Sequence, residues 1–126
     1  MLYHSLKNEI IKRYPSLKFT CDKEKKLISI PSEHEAIGSI DIQDDINEFT
    51  VFLGRFTHLH LGYYNADLAS TDQLDETVSL VIEYLEDLFT DRIFIWATSN
   101  SGGSEYIDDE FQTNKDGFVW SGPYNS

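Results

Sequence analysis

Leu74-Asp75-Glu76-Thr77-Val78-Ser79-Leu80-Val81-Ile82-Glu83-Tyr84-Leu85-Glu86-Asp87-Leu88-Phe89-Thr90-Asp91-Arg92-Ile93-Phe94-Ile95-Trp96 holds two kinds of periodicity in succession. Leu74, Val78, Val81, Ile82, Leu85, Leu88 and Phe89 recur at spacings of three and four, the mark of a helix with one apolar stripe. Ser70-Thr71-Asp72-Gln73 ahead of it offers N-cap candidates and an acidic first turn. After Asp91 the period changes, and Ile93-Phe94-Ile95-Trp96 is apolar on both sides, as in an inner strand. A long amphipathic helix running into a buried strand implies that helix and sheet share a core.

Toward the N-terminus, Leu2, Leu6, Ile10 and Tyr14 again follow helical spacing, with Pro15 where a helix over about residues 2–13 must stop. Leu17–Cys21 and Leu27–Ile30 alternate around the polar turn Asp22-Lys23-Glu24-Lys25-Lys26 and predict a hairpin. Ala36, Gly38, Ile40 and Ile42 alternate with polar residues, Phe49–Leu53 reads as an inner strand, and Gly54-Arg55 turns the chain into a strand over Phe56–Tyr63. Beyond the long helix, Asn100-Ser101-Gly102-Gly103-Ser104 reads as a flexible loop. Tyr106–Thr113 and Phe118–Trp120 then form a hairpin around Asn114–Gly117.

The expected fold is α+β, a two-layer α/β sandwich with a mostly antiparallel sheet, an N-terminal helix and one long amphipathic helix packed on one face. The 126 residues fit a single domain over 1–126, with Val51, Val78, Ile82, Leu85, Phe89, Ile95 and Trp96 buried together. Cys21, the one cysteine, allows no internal disulfide and no cysteine-rich zinc site; it reads as a small core residue. Neither a signal peptide nor a membrane-spanning stretch is evident, so a cytoplasmic location is expected.

Net charge is −12, and it is unevenly spread. Residues 1–26 carry seven basic groups and three acids, whereas the rest has only Arg55, Arg92 and Lys115 against nineteen carboxylates. Such a field repels phosphate backbones, which excludes nucleic acid as a partner for most of the surface. Asp75, Glu76, Glu83, Glu86 and Asp87 all fall away from the helix's apolar stripe, with no cation before Arg92. Glu83 and Asp87 repel at i, i+4, and the dipole disfavours acids at the C-terminal end. Selection for solubility would normally mix signs; a surface for a basic protein partner would not. Asp108, Asp109 and Glu110 join this candidate partner-binding set if the fold brings them near.

His58 and His60, two apart on a strand, put both imidazoles on one face and could share a metal. That site needs a third ligand, and His4 and His34 lie at no motif spacing. Two histidines hydrogen-bonded to neighbours or water is the simpler account, so no metal and no cofactor is assigned. The glycine-rich loop lacks the Lys-Ser/Thr and following helix of a phosphate loop. Asp44-Asp45 and Asp108–Glu110 lack the spacing of a calcium loop. No Gly-x-Ser-x-Gly, His-Glu-x-x-His or Walker pattern occurs, so no catalytic residue is assigned.

Phe56-Thr57-His58-Leu59-His60, the run from Tyr84 to Trp96 and Gly102-Gly103 resemble a pattern in small uncharacterised bacterial proteins, some of them similar to immunity proteins of toxin systems. The resemblance covers about residues 56–103. It implies a small cytoplasmic protein that binds and blocks a basic toxin, and it carries over no catalytic residue. Two other classes stay open: a secretion-chaperone-like binding protein, and a metal-dependent enzyme using His58 and His60.

Overall fold

The computed structural model describes residues 2–65 and 67–124. Its elements are α1 (Leu2–Arg13), β1 (Thr20–Asp22), β2 (Leu27–Pro31), β3 (Ser39–Asp44), β4 (Phe49–Leu53), β5 (Thr57–Leu61), α2 (Ser70–Phe89), β6 (Ile93–Ala97), β7 (Gly102–Tyr106), β8 (Gly117–Val119) and β9 (Gly122–Pro123). The fold is α+β. The strands divide into two antiparallel sheets, one a meander in the order β1-β2-β3-β4-β5 and the other ordered β7-β6-β8-β9.

In the first sheet the pleat sorts side chains by parity. Ile28, Ile42, Val51 and Leu59 form one cross-strand rung, and Ile30, Ile40 and Leu53 lie along the next. All of these but the half-buried Leu59, which packs against them, join Leu2, Leu6 and Ile10 of α1 and Val78, Val81, Ile82, Leu85 and Leu88 of α2 in one buried cluster that also takes in Ile93 and Ile95. The opposite parity, Ser29, Asp41, Gln43, Thr50, Phe52, His58 and His60, occupies the other face of that sheet.

Two helix ends are closed by tertiary partners. No acid stands in the first turn of α1. Asp44, at the end of β3, supplies one: its Oδ2 accepts from the Tyr3 amide at 2.9 Å and its Oδ1 from the Ile46 amide at 2.8 Å. At the C-terminus of α2, Asp91 takes the left-handed conformation (φ 61°) and Arg92 N–H donates to Asp87 O at 2.9 Å. A glycine would fill that place at less conformational cost. Asp91 instead bonds Ser121 through both carboxylate oxygens, at 3.0 Å to the amide and 2.5 Å to the hydroxyl, and so fastens the β8–β9 turn to the end of the helix.

The C-terminal third differs from the sequence expectation. The segment read as a flexible loop contributes β7, and the strand after Asn114–Gly117 pairs with β6 rather than with residues 106–113. Gly102 and Gly103 are the physical reason. A Cβ on Gly103 would lie 2.7 Å from the Trp96 indole, and one on Gly102 would lie 1.8 Å from the Phe56 carbonyl oxygen. The glycines that suggest mobility are what let β7 lie flat between β6 and the β4–β5 turn.

Smaller expectations are also corrected. The residue before α2 is Ala69, which offers no side-chain cap, and the Ser70–Gln73 group lies inside the helix. Cys21 is exposed because β1 is a three-residue edge strand. Val51, Val78, Ile82, Leu85 and Ile95 are buried as anticipated, whereas Phe89 and Trp96 are half-buried, Trp96 lying against Gly103 with Lys115 Nζ 4.2 Å from its ring centre.

Candidate functional site

At about 100° per residue, Asp75, Glu76, Glu83, Glu86 and Asp87 span roughly a third of the circumference of α2. Asp75, Glu76, Glu83 and Glu86 are exposed and Asp87 is half-buried. Each edge of this acidic arc meets a tyrosine. Beside α1, the Tyr14 hydroxyl donates to Glu86 Oε2 at 2.7 Å, so Glu86 belongs to the seam between the helices. Burial pushes the Tyr14 phenol up to about 12, with the Glu86 carboxylate adding to the shift. On the other edge, Tyr106 of β7 packs edge-on against Tyr84 at 6.3 Å and stays 55% exposed. Its phenol is raised above the usual 10.0 by partial burial and then by the carboxylates of Asp87 and Glu83.

Cations scarcely intrude on the arc. Among the described residues the arginine–carboxylate pairs are Arg13–Glu9 and Arg92–Asp87, the latter at 3.7 Å with the arginine largely exposed. An exposed pair of that kind is worth about 0–1 kcal/mol. Asp108, Asp109 and Glu110 are exposed on the turn after β7. The Ile107 amide donates to the Arg92 carbonyl at 2.8 Å, which starts that turn beside the end of α2. Asp108 Oδ1 accepts from the Glu110 amide within its own turn. The fold thus brings Glu83, Asp87 and Tyr106 together, places the Asp108 turn at the same end of the helix, and leaves Asp75 and Glu76 about three turns away.

Sequence reading missed a second feature. A cleft of about 730 Å³ opens between the start of α1, the β3–β4 turn, the end of β5 and the first half of α2. Ile46, Tyr63 and Tyr64 line it at 79%, 37% and 83% exposure, half of the exposed large hydrophobics among the described residues. Ile46 also has φ 79°, a conformation that β-branched residues rarely adopt. Its lone apolar side chain within Asp44-Asp45-Ile46-Asn47-Glu48 was the available signal.

His58 and His60 lie on the open face of the first sheet, ring centres 5.3 Å apart. His60 Nδ1 is 3.0 Å from Thr50 Oγ1 and 3.1 Å from Glu48 Oε2, and Thr50 Oγ1 in turn bonds Asp45. His58 stacks tilted on Phe52. Among the described residues no group of three histidine, cysteine or carboxylate side chains is arranged to hold a metal. Nor is any described helix long and apolar enough to cross a membrane. Asn100 and Ser101 form a tight turn closed by Thr98, whose Oγ1 accepts from both of their amides. No protein-family model, curated protein or solved structure matches the chain.

Proposed function

We propose that this chain is a cytoplasmic protein-binding domain that docks a basic partner protein on the acidic face of α2, acting as an immunity-type inhibitor of a toxin. The observation that carries this reading is the arc from Asp75 to Asp87, edged by the exposed ring of Tyr106. Repulsion between Glu83 and Asp87 and the dipole at Glu86 and Asp87 cost the free domain a few tenths of a kcal/mol each, up to about 1. A cationic surface relieves both and is drawn in over long range, which accelerates encounter. Tyr106 supplies what charge alone lacks, a broad amphipathic ring suited to the centre of an interface. Toxins that act on nucleic acids present basic active sites, so an acidic inhibitor can occlude such a site directly. The role requires no cofactor and no catalytic residue of this chain.

The test begins with the neighbouring reading frame, whose product should be toxic when expressed alone and harmless with this protein. Neutralising Glu76, Glu83 and Asp87 together should lower kon for that product and flatten its salt dependence. Tyr106→Ala should chiefly raise koff. Unchanged affinity and salt sensitivity in both variants would remove the acidic face from the interface, and a harmless neighbour would remove the inhibitor role.

A further inference from the structure

The hydrogen bonds around His60 determine which of its nitrogens carries the proton. Thr50 Oγ1 bonds the carboxylate of Asp45, and an ionised carboxylate only accepts, so the threonine hydrogen is spent there. The same Oγ1 stands 3.0 Å from His60 Nδ1 and must accept from it. Glu48 Oε2, 3.1 Å from the same nitrogen, is also an acceptor. Nδ1 therefore bears the hydrogen in neutral His60, and Nε2 keeps its lone pair. A carboxylate behind Nδ1 is the arrangement that fixes a histidine for metal ligation through Nε2.

His58 stands beside it. Register pairs His58 with Phe52 and His60 with Thr50, so both imidazoles leave the same face of β5, and both residues are exposed. Their ring centres lie 5.3 Å apart. A tetrahedral ion bonded about 2.0–2.1 Å from one nitrogen of each ring sets two imidazole centres roughly 5 Å apart, so the spacing admits a shared ion.

We propose that His58 and His60 form an open site for a borderline divalent transition ion, with imidazole nitrogens as its two protein ligands and water in the remaining positions. Zinc and copper suit imidazole donors, whereas magnesium and calcium want oxygen. No third histidine, cysteine or carboxylate among the described residues completes a closed cage, so binding is weaker than in a closed site and exchangeable. Glu48 is a positioning residue that holds the tautomer. The site lies on the sheet face and is independent of the docking role of α2.

Titration of the metal-free protein with zinc chloride, and separately with copper(II) chloride, followed by calorimetry and by histidine ring proton shifts, tests this. One ion should bind, the ring signals of His58 and His60 should move, and copper should bind more tightly than zinc. His58→Ala and His60→Ala should each abolish binding while circular dichroism stays unchanged. Glu48→Gln should weaken it roughly 10–100-fold, as loss of an outer-sphere carboxylate does. His4→Ala, on α1, and neutralised Glu76 and Glu83 should change nothing. Absence of binding would overturn the proposal, and so would binding that survives both histidine variants. Displacement of zinc by magnesium would overturn it as well, since it would locate the ion among surface carboxylates.

Discussion

Gly102→Ala probes the junction between the two sheets at its tightest point. The new methyl would lie 1.8 Å from the Phe56 carbonyl oxygen and 2.8 Å from its carbonyl carbon, where carbon and oxygen ordinarily keep about 3.3 Å or more. Backbone is the obstacle, so no rotamer change relieves it, and β7 must withdraw from Phe56 by more than an ångström. At Gly103 the methyl would meet the Trp96 ring at 2.7 Å, but that half-buried side chain can swing outward. Overpacking costs about 1–3 kcal/mol, while replacing glycine by alanine returns about 0.4–1 kcal/mol through the unfolded chain. Gly102→Ala should therefore lose about 2 kcal/mol, and Gly103→Ala should be within about 1 kcal/mol of the parent. Urea unfolding should show the first as a midpoint lower by about 1–2 M with an unchanged slope, the second as a small shift accompanied by altered Trp96 fluorescence. If Gly102→Ala costs no more than Gly103→Ala, then β7 is not held against Phe56, and residues 100–104 are the free loop that their composition suggests.

Leu85→Ala empties a fully buried position in the core cluster that the helices and strands share, and should cost about 2–5 kcal/mol in the same assay; a loss below about 0.5 kcal/mol would mean the helix register is wrong. Asp44→Asn leaves one acceptor where the Tyr3 and Ile46 amides now bond two oxygens, and should cost about 1–3 kcal/mol, with exchange of the α1 amides with solvent accelerated first. Burial raises both Tyr14 and Tyr84 from 10.0 to about 12, so the fold favours their protonated forms. That contribution is whole below pH 10.0 and is lost as pH climbs toward 12. Stability should fall over that window, less steeply in Tyr14→Phe, and an equally steep fall in that variant would exclude Tyr14 as a source.

The candidate surfaces were legible to different depths. The acidic arc could be read directly, because a helix's angular spacing follows from residue number alone. What it could not reveal is that Glu86 is taken by Tyr14, seventy-two positions earlier, or that Tyr106 arrives beside Glu83 and Asp87 from another strand. The strand pattern put His58 and His60 on one face, but the carboxylate behind His60 comes from the β3–β4 turn, and turn geometry is not encoded in alternation. The cleft was invisible for the same reason, since its walls come from four separate elements.

Both helices and the inward residues of β2–β4 follow from local periodicity, because the 3.6-residue and two-residue repeats are properties of the backbone itself, whereas the order in which the strands pair does not. Tertiary structure alone decided the partition into two sheets and the strand partners of β6. Pairing is set by which backbones can approach, and at Gly102, Gly103 and Gly117 the approach depends on a missing Cβ opposite residues far away in the chain. Glycine looks the same in a sequence whether it loosens a loop or admits a neighbouring strand, and only the atoms across the gap tell the two apart.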